Sequence, residues 1–251
     1  MRAFDQVTDP LRGILTRVPP RGQDVCRVCH GATRPPRALC SACRDVLRQV
    51  SRPVHLVVPV SLSTPDEQLH EYLREYKRSR HPEVRREFSH RVAAVLARFL
   101  ATHGRCIRRV AGCSWSAVTV VPSSSDRPGL HPLETALGRL GWREPMLRPL
   151  CRGPGQLADG RASDDGYRVT MDVSGMELLL VDDVMASGAR LQSAASALQL
   201  AGATVVAAVP VARSLDPDRG DEPVRELLAR AGASPFDFAE CCLEDEDALA
   251  R

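Results

Sequence analysis

Aromatic residues are scarce: phenylalanine, tyrosine and tryptophan make up 4% of the 251 residues. That leaves little for base stacking, the sequence-tolerant part of single-stranded nucleic-acid binding. No apolar run approaches the roughly 20 residues a membrane helix needs, so membrane insertion is not expected. Met1 to Pro20 carry no apolar core of the signal-peptide kind, and cytoplasm is the expected compartment. No internal repeat is visible. A large net charge is also missing, at +3, but the balance is uneven. From Asp237 onward six acids accompany one arginine, whereas the preceding chain carries 33 bases and 25 acids. A moderately basic body suits phosphate ligands or nucleic acid, although surface charge is often only solvated.

Cysteine, by contrast, is plentiful: there are nine. Four form a Cys-x2-Cys-x10-Cys-x2-Cys pattern, Cys26, Cys29, Cys40 and Cys43. In a reducing compartment that spacing argues for metal over disulfides. Two knuckles would supply four thiolates to a tetrahedral Zn²⁺, and a shell closed by four thiolates makes that zinc structural. His30, beside Cys29, is a weaker substitute ligand. Cys106, Cys113, Cys151, Cys241 and Cys242 lack such spacing and read as core or surface thiols.

The stretch that organises the chain is Leu178 to Leu191. Leu178 to Val181 read as a buried strand of a parallel sheet, apolar on both faces. Asp182 and Asp183 follow, poor strand residues and costly to bury unpaired. At the carboxyl end of a central strand they would face the crevice where open α/β sheets bind ligands. Ala186, Ser187, Gly188 and Ala189 are small and let backbone approach a ligand. From about Gly188 the pattern turns helical, with Leu191, Ala195 and Leu198 on one face. The first-turn N–H groups and the helix dipole then make an anion site. A sugar phosphate suits this arrangement, with phosphate on the amides and ribose hydroxyls on the acids. An ordinary strand, polar turn and helix remains the plainer alternative.

The rest of the chain reads as follows. Residues 1–21 look irregular, with a short helix near Pro10 to Thr16. A four-cysteine module spans 22–50 and ends in a helix over Ser41 to Val50. Residues 51–232 form the main domain and 233–251 a frayed acidic tail. Within the domain, Val54 to Val60 is a strand and a helix starts near Pro65, ending in the basic cluster Lys77, Arg78, Arg80 and His81. A second helix runs from Pro82 until Gly104 closes it. Ala117 to Val121 is a strand, and its following loop carries Ser123, Ser124 and Ser125, open between a phosphate contact and a surface turn. Leu133 to Leu140 is helical. Arg148 to Arg168 reads as a long mobile loop in which Arg152 and Arg161 could close over an anion. Tyr167 to Met171 and Thr204 to Ala212 are strands, and Val224 to Ala231 is a last helix.

Leu178 to Leu191 resembles the PRPP-binding signature of type I phosphoribosyltransferases: four apolar residues, two acids, then a Thr- and Gly-rich loop. Ala186 stands where threonine is usual and Arg190 where threonine or serine commonly closes the loop. Arg190 either adds a cationic phosphate contact or blocks the cradle. The order of zinc knuckles, basic helix and PRPP-type domain further resembles the ComF competence-protein family. Tyr76-Lys77, Gln156, Arg161 and the Gly166-Tyr167 pair match recurrent features of that family, over about residues 22–212. Pro122 to Leu137 departs from it: Pro128, Gly129, Leu130, His131 and Pro132 replace its usual Arg-Gly-Phe-Asn-Gln.

The resemblance implies an α/β fold of the type I phosphoribosyltransferase kind, a parallel sheet flanked by helices with a small N-terminal four-cysteine zinc module. It also implies binding of PRPP or a nucleotide, with Mg²⁺ bridging pyrophosphate and ribose hydroxyls. Asp182 and Asp183 would hold the ribose, and Ser187 to Arg190 the 5-phosphate. Arg161, Arg127 or Lys77 would stabilise the leaving charge. A role in DNA uptake comes with the resemblance. The rival is a binder or scaffold on the same fold, holding single-stranded DNA or docking a DNA-translocating motor. The expectation can fail: acids locked in salt bridges, with a side chain filling the hollow beside Gly188, would leave only a zinc-bearing scaffold.

Overall fold

A computed structural model describes residues 3–123, 130–157, 160–218 and 222–243. The chain opens with α1 (Ala3–Thr8) and a 3-10 helix (Asp9–Ile14), so the helix expected near Pro10 begins seven residues earlier. The cysteine-bearing segment ends in α2 (Ser41–Leu47). Next come β1 (Ser61–Ser63), α3 (Gln68–Arg78), α4 (Pro82–Ala111), β2 (Ala117–Val120), α5 (Pro132–Arg139) and β3 (Met146–Leu147). A short pair follows, β4 (Leu150–Arg152) and β5 (Tyr167–Val169). The chain continues through β6 (Glu177–Met185), α6 (Ala189–Leu200), β7 (Thr204–Ser214) and α7 (Glu222–Gly232). No helix among the described residues is long and apolar enough to cross a membrane.

Five strands form one parallel sheet in the order β1-β7-β6-β2-β3. With helices on its faces and the four-cysteine group packed against it, this is the fold class expected from the sequence. β6 is central because it can be: Leu178, Leu179, Leu180 and Val181 are fully buried. Alternation divides them. Leu179 and Val181 pack with Leu96, Phe99, Ile107 and Leu133 from α4 and α5. Leu178 and Leu180 pack with Leu191 and Leu198 of α6 and with Cys26, Cys29 and Cys43. Each such side chain contributes about 1.5–3 kcal/mol through burial. From β2 the sheet grows outward to β3, and then resumes on the other side of β2 with β6 and β7. The direction reverses between β2 and β6, and open α/β sheets bind ligands at such a switch point, beyond the carboxyl ends of the strands.

Several expectations shift. The strand expected over Val54 to Val60 is placed at Ser61–Ser63. Residues 56–60 still run beside β7, with Val58 and Val60 donating backbone bonds to Ala208 and Pro210, but without forming a continuous ladder. Gly104 does not close α4, which continues to Ala111 and ends at Gly112 in a left-handed conformation (φ 71°). Gly104 is instead a packing glycine: a Cβ there would lie 3.1 Å from the Arg108 guanidinium and 3.6 Å from the Trp115 ring. The supposed mobile loop over 148–168 contains the β4–β5 antiparallel pair. It is also tied down at Asp164, which accepts from the Ser51 amide (3.0 Å) and the Ser51 hydroxyl (2.6 Å) as well as from Ser196. The acidic tail is not frayed at its start: Phe236, Phe238, Cys242 and Leu243 belong to the core. Their apolar side chains outweigh the acids interspersed among them.

Candidate functional site

The loop between β6 and α6 borders a cavity of about 560 Å³ lined by Asp182, Val184, residues 185–191, Leu157 and Gly160. Gly188 makes the loop feasible. Its φ is +87°, a left-handed conformation that costs little only for glycine, and a Cβ there would meet Met185 Cε at 2.6 Å. Ser187 Oγ accepts from the Ala189 amide at 3.3 Å, just ahead of the N-cap Gly188 of α6. First-turn amides of a helix have no intrahelical acceptor, and here that turn lines the cavity. Ala186, Ser187, Gly188, Ala189 and Arg190 are thus brought together around one hollow, and no side chain of the described residues fills it.

The two acids take different positions. Asp182 borders the cavity, and its Oδ1 accepts from the Asp183 amide at 2.9 Å. Asp183 is turned toward α3. Its Oδ2 accepts from the Tyr76 hydroxyl at 2.6 Å and pairs with the Lys77 ammonium, while its Oδ1 makes no hydrogen bond among the described residues. Arg190 Nη2 stands 3.6 Å from Asp182 Oδ2 and 3.8 Å from Asp183 Oδ1. Both acids are therefore ion-paired, and both are 2% exposed. Half of the stated failure condition is met and half is not, since no side chain of the described residues fills the hollow beside Gly188.

Electrostatics separate the pair further. Burial raises Asp182 to about 7, with Arg190 opposing and the Asp183 charge reinforcing the rise. Burial also acts on Asp183, but the Lys77 ammonium wins and holds that carboxyl below its usual range. Tyr76 is pushed well up by burial and by the Asp183 charge, so it donates. His131 completes this wall. Burial, helped by Lys77, lowers it to about 4, and its Nδ1 accepts from the Leu133 amide at 3.2 Å.

The other expected residues are less central. Ser123 follows β2 at the switch point and is half-buried; Ser124 and Arg127 lie outside the described residues. Arg161 follows the lining residue Gly160 in the chain but is exposed and does not itself line the cavity. Arg152 is engaged with the Gly166 carbonyl (3.0 Å) and does not line the hollow. Tyr167, from the β4–β5 pair, reaches the Pro122 carbonyl at 3.3 Å and braces the crevice loop. A second cavity, about 570 Å³, lies elsewhere, where Arg12 and Arg98 already pair with Asp237 and Asp5.

Cys26, Cys29, Cys40 and Cys43 form one cluster, with all four Sγ atoms within 4.8 Å of one another. Cys29 and Cys40 sulfurs are 3.7 Å apart; a tetrahedral zinc with Zn–S bonds near 2.3 Å requires edges of about 3.8 Å. Backbone amides of Gly31 and Cys43 donate to the sulfurs of Cys29 and Cys40, each at 3.4 Å, which helps fix the positions of those two sulfurs within the cluster. His30 turns away, with Nδ1 3.0 Å from the Pro19 carbonyl. Sequence reasoning missed Arg213, the residue joining this cluster to the crevice. It is buried, and its Nη1 donates to the Met185, Ala186 and Ser214 carbonyls. Its other amino group lies against the Cys29–Gly31 turn, 3.1 Å from where a Gly31 Cβ would sit. A buried guanidinium needs a counter-anion, and Cys29 beside it, held well below the usual thiol range by its neighbouring cysteines, is the group placed to be one.

No protein-family model matches the chain, and no curated protein matches it. Solved structures do. A phosphoribosylpyrophosphate synthetase from Mycobacterium smegmatis aligns at 22% identity and TM-score 0.28, over 54% of this chain and 38% of that one. A phosphoribosyltransferase from Corynebacterium diphtheriae aligns at 18% and 0.32, over 62% and 96%. An orotate phosphoribosyltransferase from Aeropyrum pernix aligns at 29% and 0.26, over 55% and 64%. At these TM-scores the likeness says nothing of ligands, and the chain spans well under half the synthetase's length. The fold rests on strand order and on the cysteine geometry.

Proposed function

We propose that the crevice between β2 and β6 binds a phosphorylated ribose, as PRPP or a nucleotide. The observation that carries this is the open hollow in which Asp182 and the first turn of α6 face one space. The phosphate would sit on the first-turn amides with Ser187, where a helix N-terminus favours anions. Asp182, once ionised, accepts from ribose hydroxyls, and Arg190 offers a guanidinium to phosphate. Mg²⁺ accompanies PRPP in this reading, and the four-cysteine cluster holds a structural zinc.

Binding is better supported than turnover. Arg190 and Lys77 already neutralise the acids, and PRPP transfer to an acceptor requires Arg190 to leave Asp182 as the sugar arrives. The link to DNA uptake rests on the ComF resemblance alone. Within that resemblance, Tyr76-Lys77 acquires a concrete role, because both side chains meet Asp183. Single-stranded DNA binding by base stacking is less supported: none of the ten aromatic side chains is exposed.

The test is calorimetric titration with PRPP and Mg²⁺, then with ribose 5-phosphate, alongside an assay for pyrophosphate release in the presence of nucleobases. Saturable binding that is weakened by Asp182→Asn supports the reading. Binding of single-stranded DNA with no response to either phosphate ligand would transfer the function to the basic surface.

A further inference from the structure

His103 and Cys106 stand three residues apart on α4 and so share one face of the helix. The segment after α7 returns to that face and places Cys241 against them. Cys106 Sγ is 3.6 Å from Cys241 Sγ and 3.7 Å from His103 Nδ1, and the three ligand atoms lie within 4.8 Å of one another. Nothing in the sequence spacing announces this group, because 135 positions separate Cys106 from Cys241.

The imidazole tautomer follows from its other contact. His103 Nε2 lies 2.8 Å from the Phe238 carbonyl oxygen. A carbonyl only accepts, so Nε2 carries the hydrogen and Nδ1 presents its lone pair to the two sulfurs. Metal-ligating histidines are oriented in this way, by donating the second ring N–H to a carbonyl or carboxylate. The spacing agrees as well. A tetrahedral ion with Zn–S near 2.3 Å and Zn–N near 2.0–2.1 Å has edges of about 3.8 Å between sulfurs and about 3.6 Å between sulfur and nitrogen. A disulfide would need the sulfurs at about 2.05 Å.

We propose that His103, Cys106 and Cys241 bind a second thiophilic metal ion, zinc by its preference for two thiolates and an imidazole. The ion is separate from the four-cysteine cluster and from the crevice. Three protein ligands leave the fourth tetrahedral position to water or another small donor. Both cysteines are half-buried, so solvent reaches the site. At present the Cys106 thiol donates to the His103 carbonyl at 2.9 Å; metal uptake releases that proton and the one on Cys241. The ion would clip the C-terminal segment to α4. The same segment is already held by the Arg98 guanidinium 4.2 Å above the Phe238 ring and by the buried Leu243.

The test is the zinc content of the full chain after dialysis against metal-free buffer, compared with a Cys106→Ser/Cys241→Ser variant. The variant is expected to hold one zinc fewer per chain. Because the count is a difference, it stands whether or not the four-cysteine cluster is loaded: a wild-type count of two falling to one, or of one falling to zero, supports the site. Should the variant fold poorly, alkylation of the wild-type chain decides. Cys106 and Cys241 should resist iodoacetamide until a chelator is added, with mass spectrometry reporting the sites. Unchanged zinc in a folded variant, chelator-independent alkylation, or a Cys106–Cys241 disulfide in the protein as purified would overturn the proposal.

Discussion

Replacing Lys77 by methionine should be far more costly than the loss of a typical surface charge. The Lys77 side chain is 17% exposed and its partner Asp183 is 2% exposed. Methionine keeps most of the buried stem and deletes the ammonium. Among the described residues Asp183 is then left with the Tyr76 hydroxyl as its one direct donor, Arg190 standing 3.8 Å from the other oxygen. Breaking a buried pair from one side costs about 3–5 kcal/mol, whereas an exposed pair is worth about 0.2–1 kcal/mol. For a chain of this size that is a drop in melting temperature on the order of 10 °C. Urea unfolding at pH 7 measures it directly. A Lys77→Met/Asp183→Asn double variant should recover most of the loss, since no carboxylate is then stranded. The sign with pH also follows. Asp183 has a lowered folded pKa, so the pair stabilises above the unfolded carboxyl value near 4 and is lost as pH falls through the folded value. The gap between wild type and Lys77→Met should therefore narrow in acid, where the variant's Asp183 takes up a proton. A single-variant loss below about 1 kcal/mol, or a double variant as damaged as the sum of the two singles, would refute the buried-pair reasoning.

The remaining predictions concern the crevice. Asp182 is raised to about 7, so as a ligand acceptor it works in the ionised form and ribose-phosphate affinity should increase as pH rises through 7; calorimetry across pH 6–8 checks it by the difference between wild type and Asp182→Asn, which should grow with pH, because the ligand's own phosphate, with a second pKa of about 6, titrates alike in both. The same raised pKa makes Asp182 a stabilising group below the unfolded value near 4, a contribution lost as pH rises through about 7. Removing the guanidinium with Arg190→Ala should move the binding midpoint upward by on the order of one pH unit, because the cation opposes the rise. Arg213→Met should weaken ribose-phosphate binding although Arg213 does not itself line the cavity, since it releases the carbonyls of the wall residues Met185 and Ala186, and should cost on the order of 3 kcal/mol in urea unfolding.

What was legible in the sequence is what repeats or punctuates. Leu178 to Val181 declared a two-faced buried strand, and the paired Cys-x2-Cys spacing declared the cluster, because both are local patterns. Gly188 was legible as a loop glycine, but its necessity there came from φ and from Met185, which no spacing reveals. Gly104 misled as a helix stop because a glycine that makes room for Trp115 looks the same in sequence as one that ends a helix. The tail misled because its acids are conspicuous and its buried phenylalanines are not. The turn of Asp183 toward α3 was illegible for a different reason. It depends on Tyr76 and Lys77, more than a hundred positions away, and ion pairs between distant segments leave no periodicity. Arg213 was hidden in the same way, inside a strand whose neighbours are nearly all apolar.

The central claim is that the loop from Ala186 to Arg190 cradles a phosphate while Asp182 reads the sugar. It is tested most directly by titrating ribose 5-phosphate into wild type and into Ser187→Glu, which sets a carboxylate at the first turn of α6. The account predicts saturable binding to the wild type at one site per chain and its loss in the variant, with both proteins equally folded. Binding that survives Ser187→Glu undiminished, or a wild type that ignores ribose 5-phosphate and PRPP alike, would contradict it.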